Sequence, residues 1–415
     1  MGLLFIHGHE RLKEDVKGNY YTDGSYNQEV WDRYLNLSSE VNVIFKKDPI
    51  KYNQQYALDN FQPFNKNKIK YIEIPDLVSS YLTFINPSRR RKVNQIIENA
   101  IIQNDASIIR LPSSEGLRAV KYSIKHNKPY LIELVGCPWN AYFNHSFKGK
   151  IVAPFMWCLT RKIIKNAPYV VYVTNEFLQR RYPCKGANVG CSDVTLPPLD
   201  ESILERRLDK IRQIDKSKSI IIGTTAAVNV RYKGQEYVIK AISKLNKEGF
   251  NFEYHLVGGG NNSYLHTVAR KYNVLDKIKF LGSIPHEKIF DYLDDIDIYI
   301  QPSKTEGMPR ALLEAMSRGC PAIGSDVGDI PELLNNDFIF RKKETNEICT
   351  LLKKIINMNI MAKEAKNNFD KVKEFSKSLL DNKRNKFYLE FKNNVSSKLI
   401  KLQKNKYLER HKNVV

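Results

Sequence analysis

Short apolar runs of strand length alternate with helix-length stretches along most of this chain, and that alternation restricts it to βαβ units built around parallel sheets. In the first series the predicted strands are Leu3–Ile6, Val41–Phe45, Lys70–Ile74, Ala106–Leu111, Pro129–Val135 and Val170–Thr174. The pattern restarts at Ser219–Gly223 and continues through strands Phe252–Val257, Ile278–Leu281, Ile296–Ile300 and Pro321–Gly324, with helices between them. Between the two series, 196–217 is proline-marked and then strongly charged, as a linker would be. The expected organisation is a Rossmann-like domain at 1–196, a linker at 197–218, a second Rossmann-like domain at 219–370, and a helical segment with a basic tail at 371–415 that packs back toward the first domain. A chain of 415 residues is long enough to bury two such cores.

Composition narrows the class further. Hydrophobic residues make up 42% and charged residues 27%, which excludes a disordered or membrane-embedded chain. The apolar start Met1–Ile6 has no basic leader and is too short for a signal peptide, and 151–159 falls far below the roughly 20 residues of a membrane span, so a cytoplasmic protein is expected. Six scattered cysteines, without CxxC pairs or histidines at ligand spacing, read as reduced thiols. The net charge of +21 implies attraction to nucleic acid, nucleotides or an acidic membrane leaflet. No recognition helix, aromatic RNA platform or zinc module accompanies it, so nucleic acid is not an expected partner.

The chemistry concentrates in QPSKTEGMPRALLEAMSRGCPAIGSDVGDIPELL, 301–334. A buried strand leads into a turn at Glu306-Gly307-Met308, and Pro309 is expected to be the first helical residue, where its fixed φ costs no donor. The free amides of that turn carry the positive end of the helix dipole and suit a phosphate, which Gly307 would let approach the backbone. Glu306 precedes the helix, and Glu314 lies in its second turn leaning back toward the N-terminus, so each could accept hydrogen bonds from sugar hydroxyls.

This segment resembles the E-x7-E region of retaining glycosyltransferases of the family-four type, and the whole chain is similar to that family. The resemblance implies an α/β GT-B fold, two Rossmann-like doubly wound domains facing a central cleft, with the acceptor on the N-terminal domain and the nucleotide sugar on the C-terminal one. It implies that Glu306 contacts the transferred sugar, Glu314 binds the ribose, and Gly307, Met308 and Pro309 hold the diphosphate. Arg231-Tyr232-Lys233-Gly234 resembles the family's basic pair before a glycine and helix, giving Lys233 and Arg231 as the cations that stabilise the leaving group. Where the family has an arginine after the strand glycine, Gly223 is followed here by Thr224-Thr225, and Arg231 is the expected substitute. By the same resemblance the backbone of Gly282 and Ile284 meets the nucleotide base.

On the acceptor side, Gly24 in the loop 18–25 and Trp139 are the candidates, Trp139 either stacking on a sugar face or filling core. Related enzymes often have a histidine or acidic group near the loop where Cys137 stands here; His7, His9 and His145 are weaker candidates. Gly258-Gly259-Gly260 departs from G-x-G-x-x-G spacing and reads as a tight turn. The D-x-D within Asp294–Asp297 precedes a buried strand and reads as a cap and strand edge rather than a metal site, so neither metal nor cofactor is expected. The resulting expectation is transfer, with retention, from a nucleotide-diphosphate sugar to a saccharide or lipid-linked acceptor in surface polysaccharide assembly; the alternatives are a nucleotide-sugar epimerase or hydrolase and, more distantly, a basic nucleic-acid-binding protein. Peripheral contact with anionic membrane is expected through Arg89, Arg90, Arg91 and Lys92 and the segment 155–165, although Phe155, Met156 and Trp157 also suit a helix core.

Overall fold

The computed structural model describes residues 1–24, 26–77, 86–143, 147–215 and 217–412. Two compact units emerge: Met1–Val173, Leu178–Cys191 and Asn382–Val415 form the first, Thr174–Phe177 and Ser192–Asp381 the second.

In the first unit the strands are β1 (Gly2–Asp15), β2 (Tyr20–Thr22), β3 (Glu40–Tyr52), β4 (Gln62–Pro63), β5 (Ile69–Glu73), β6 (Ala106–Leu111), β7 (Tyr130–Leu134), β8 (Tyr169–Tyr172) and β9 (Ala187–Gly190). The sheet order is β4-β2-β1-β6-β7-β8-β9, with β3 on β1 and β5 on β3. Leu3, Leu4, Phe5 and Ile6 are all fully buried, as expected of a parallel strand covered on both faces. Both β1 and β3 outrun their apolar cores, because their polar continuations still pair, Arg11 opposite Lys46 and Leu12 opposite Lys47. The charges buried by that extension find partners: Lys46 lies 3.3 Å from Asp76 and 3.4 Å from Glu115. The loop expected at 18–25 contains β2, folded back antiparallel on β1. Its turn is closed by Asp15, which accepts the amides of Lys17 and Asn19 at 2.9 and 2.8 Å. The edge strand β9 was not anticipated, since its run ANVG has little apolar signal.

The long helix Lys377–Lys412 buries Phe387, Tyr388, Phe391 and Val395 in this unit. Phe387 and Phe391 pack edge-on against Tyr169, and the Tyr388 hydroxyl donates to Glu133, which also accepts from Tyr34 at 3.0 Å.

The second unit holds β10 (Ile220–Thr225), β11 (Phe252–Val257), β12 (Ile278–Gly282), β13 (Ile298–Gln301), β14 (Ala322–Ser325) and β15 (Ile339–Phe340), all parallel in the order β12-β11-β10-β13-β14-β15. The expected linker at 197–218 proves instead to contain the helix Glu201–Arg212, capped by Asp200. What the charge-rich composition concealed is Arg207, buried, whose guanidinium donates to the carbonyls of Arg318, Ile296 and Leu293 at 3.1, 2.6 and 2.6 Å. Those carbonyls end neighbouring elements that Arg207 ties together, with Lys210 Nζ sharing the Ile296 carbonyl at 2.9 Å, so the helix is part of the unit's core.

Candidate functional site

The site grows from the carboxyl end of β13, where open parallel sheets place their ligands. Gln301 closes the strand fully buried, and the chain then turns through 302–309 before the helix Arg310–Ser317. Pro309 is the N-cap rather than the first helical residue, because its ψ of 81° lies outside the helical range. Gly307 faces open space, and among the described residues neither its amide nor that of Met308 donates a backbone hydrogen bond. Two adjacent unused amides at a helix start suit an anion. The outer wall of this turn is supplied by Gly328, at φ +62°, where an added Cβ would lie 2.6 Å from the Glu306 carbonyl oxygen.

Glu306 is the best-anchored carboxylate here. Its Oε1 accepts from Lys233 Nζ at 2.6 Å, Ser303 Oγ at 2.8 Å and Gln301 Nε2 at 3.1 Å. Behind it, Tyr299 donates to Gln301 Oε1 at 2.9 Å, and burial pushes that phenol well above its ordinary pKa, so it remains a donor. The chain Tyr299–Gln301–Glu306 thus fixes the side-chain amide of Gln301 with its NH2 toward the carboxylate.

Lys233 reaches Glu306 because of one glycine. Gly234 adopts φ +75°, and a Cβ there would sit 1.9 Å from the Pro302 carbonyl oxygen. Only a residue without Cβ lets the turn Arg231–Lys233 press against 302–306, an approach sealed by Lys304 N donating to Tyr232 O at 2.7 Å. Lys304 also pairs with Glu236 at 2.8 Å. Arg231 is directed elsewhere: its guanidinium stacks 4.1 Å from the centre of the Tyr264 ring, so the structure brings Lys233, not Arg231, onto Glu306. Thr224 and Thr225 stand where the resemblance leads to an expected arginine. Thr224 is buried and ties β10 to β13 by donating to Ile300 O at 2.7 Å.

Glu314, mostly buried, meets His286 Nε2 at 3.2 Å, a residue unsuspected from sequence because a lone histidine at a helix start carries no pattern. His286 follows the loop of Gly282 and Ile284; Gly282, at φ +72°, has nothing within 4 Å of an added Cβ and gives its carbonyl to Gly258 N at 2.8 Å. Gly258 in turn lies so close to Ala226 that a Cβ would fall 2.1 Å from its carbonyl oxygen. The loops after β10, β11 and β12 are therefore stitched into one surface, which is what the triple glycine serves.

Asp294 and Asp297 are engaged structurally. Arg318 Nε binds Asp294 at 2.8 Å, Asp297 accepts from Ile221 N at 2.8 Å, and Lys210 lies 3.2 Å from Asp297. Among the described residues no group of three or more His, Cys, Asp or Glu side chains is arranged to hold a metal ion.

In the first unit, Gly24 lies exposed in a turn with nothing within 4 Å of an added Cβ. Trp139 is half-buried, stacked on Phe143 at 5.6 Å and covered by the Arg181 guanidinium at 6.0 Å. Cys137 is buried against the Tyr182 hydroxyl at 3.2 Å. His7 contacts Tyr26 OH at 2.8 Å; His145 and the side chain of His9 lie outside the described residues.

Comparison with known proteins matches residues 206–372 to the family of glycosyl transferases group 1. Protein CapJ of Staphylococcus aureus is 32% identical over 389 residues, 93% of this chain and 90% of its own length. The amylovoran biosynthesis glycosyltransferase AmsK of Erwinia amylovora is 38% identical over 112 residues, 25% of this chain and 28% of its own. Among solved structures, sucrose-phosphate synthase from Thermosynechococcus elongatus superimposes with a TM-score of 0.62 at 16% identity, covering 94% of this chain and 98% of that one. Anabaena HepE in complex with UDP and glucose gives 0.57 at 15% identity, covering 96% and 99%. These structural likenesses show the GT-B fold. Matched along nearly its full length to CapJ and by the family model across the unit that carries Lys233, Glu306 and Glu314, this chain belongs to the glycosyl transferases group 1 family.

Proposed function

We propose that this glycosyltransferase moves a sugar, with retention and without a metal ion, from a nucleoside-diphosphate sugar to a saccharide or lipid-linked acceptor in capsule or exopolysaccharide assembly, working from the cytoplasm in peripheral contact with the membrane. The observation that carries the reading is the Lys233–Glu306 pair, braced by Gln301 and Ser303 beside the unused amides of Gly307 and Met308. A carboxylate held by neutral donors and one lysine can orient sugar hydroxyls, while the lysine and the helix start meet the diphosphate charge that develops as the glycosidic bond breaks. Arg231, on the Tyr264 ring, adds positive charge near that turn. In the transfer step the acceptor oxygen bonds to the anomeric carbon on the face the diphosphate leaves, and its proton passes to the departing phosphate oxygen, so no protein base is required. Glu314 serves the ribose, and Gly282 and Ile284 the base. The name of the amylovoran biosynthesis glycosyltransferase AmsK supports the polysaccharide setting, and HepE, solved with UDP and glucose, supports a uridine donor. Metal independence is supported by the engagement of Asp294 and Asp297 with cations and an amide.

A screen of nucleotide sugars for thermal stabilisation identifies the donor. Glu306→Gln is then expected to lower transfer by about 10² while leaving the fold and the stabilisation by bare nucleotide intact. Near-normal turnover in that variant, or abolition of wild-type activity by EDTA with rescue by manganese, contradicts the proposal.

A further inference from the structure

The helix Phe147–Lys165 carries Lys148, Lys150, Arg161, Lys162 and Lys165 and no carboxylate. Its buried side is Ala153, Met156, Thr160 and Ile164, so the expectation of core residues holds for Met156 but not for Phe155. Ile151, Val152 and Phe155 are 71%, 40% and 66% exposed, and with Cys158 and Lys162 they follow the helical i, i+3, i+4 spacing, forming one outward stripe. Exposed apolar side chains scattered singly are ordinary; three in a row between cations on one helix are not. Phe143, 38% exposed, extends the patch from the preceding helix, with Lys150 Nζ 5.7 Å from its ring centre.

Topology adds a second group of cations. From β5 through β3, β1, β6, β7 to β8 the sheet is crossed in one direction, so right-handed connections set the helices Pro87–Gln103, Ser114–Lys125 and Phe147–Lys165 on the same face. Each of these helices starts beyond the carboxyl end of the strand it leaves. The exposed Arg89, Arg91 and Lys92 therefore lie at the same end of that face as Lys150, Ile151 and Phe155.

We propose that this face of the first unit is a docking surface for an anionic lipid bilayer, with Ile151, Val152 and Phe155 entering the headgroup boundary and Lys150, Arg161, Lys162, Lys165, Arg89, Arg91 and Lys92 meeting lipid phosphates. Charge complementarity selects the occupant: a patch of cations around an aliphatic and aromatic centre matches an acidic leaflet. No described helix is long and apolar enough to cross a membrane, so the contact is at the surface. The inference rests on, and gives residues to, the membrane setting of the proposed function.

Flotation of the full chain with vesicles of phosphatidylglycerol in phosphatidylcholine, against phosphatidylcholine alone, tests it. Wild type is expected to float with the anionic vesicles at low salt and to be released by high salt. Ile151→Ser with Phe155→Ser should lower the partition coefficient by about tenfold or more, and Lys150→Gln with Lys162→Gln and Lys165→Gln by a similar factor. Leu58→Ser, at another exposed apolar position of the same unit, should leave it unchanged. Melting curves establish that each variant is folded. Equal binding to both vesicles, no binding at low salt, full binding by the folded Ile151–Phe155 variant, or a concentration-dependent dimer that the same variant dissolves would overturn the proposal. Stabilisation by nucleotide sugar, measured on the same samples, separates the two readings: donor binding without flotation removes only the docking surface, and flotation without donor binding removes only the transferase reading.

Discussion

Replacing Gly234 by alanine tests whether one close backbone approach assembles the proposed catalytic pair, Lys233 and Glu306. At φ +75° an alanine is strained by roughly 1–2 kcal/mol. The larger effect is steric: with only 1.9 Å between the new Cβ and the Pro302 carbonyl oxygen, one of the two loops must retreat by more than about 1 Å to reach contact distances that real Cβ atoms show. Pro302 is four residues before Glu306, and the retreat pulls Lys233 away from a partner now 2.6 Å distant. Misplacement of a reacting constellation by about 1 Å costs on the order of 10² in rate, so kcat/KM should fall by about that factor. Gly249→Ala is the control, because Gly249 has φ +93° but nothing within 4 Å of an added Cβ. Both variants should lose stability from strain, and only Gly234→Ala should lose turnover. Initial rates of nucleoside diphosphate release, with melting temperatures for both proteins, give the comparison. Turnover within twofold of wild type in folded Gly234→Ala would refute the reasoning, as would an equal loss in both variants.

Lys233→Ala is expected to weaken a nucleoside diphosphate far more than the bare nucleoside in isothermal titration, since the proposed function sets the lysine against the diphosphate; equal losses would place it elsewhere. Arg207→Met removes a donor from three carbonyls, of which that of Ile296 keeps Lys210 and that of Leu293 keeps only the weak Cys320 thiol, and should destabilise the second unit by roughly 1–3 kcal/mol in denaturant unfolding, the cost of an unmet buried group. Burial raises the Glu10 carboxyl to about 7, against the Asp23 amide and the nearby Lys13 and Arg110 cations. A folded-state pKa above the unfolded one means that the contribution of Glu10 is intact below about pH 4.5 and is lost as pH rises through about 7, a change of about 3 kcal/mol for a shift of this size. Glu10→Gln should therefore flatten the fall in melting temperature between pH 5 and pH 8, and parallel curves for the two proteins would contradict the assignment.

Periodicity revealed the interior parallel strands but not the short edges β9 and β15, because a strand buried on both faces must be apolar throughout, as Leu3–Ile6 and Ile298–Ile300 are. The local pattern around Glu306 and Glu314 was legible for a related reason: a strand, a glycine turn, a proline and a helix follow one another within a few residues, so the geometry is set by neighbours in the chain. Partnerships across long sequence separations left no such trace. Lys233 and Glu306, His286 and Glu314, and Arg207 with the ends of three elements meet only after the sheet has formed, and a charged helix at 201–212 reads as linker until its buried arginine finds those carbonyls. Arg231 and Lys233 are two residues apart and equivalent as charges in the sequence. Tertiary structure separates them, since a positive-φ glycine beside Pro302 turns one onto the carboxylate and leaves the other on an aromatic ring. The sequence by itself determined which segments could be strands and where an anion could approach a helix; which side chains act together was decided by backbone contacts between loops, whose spacing no single segment encodes.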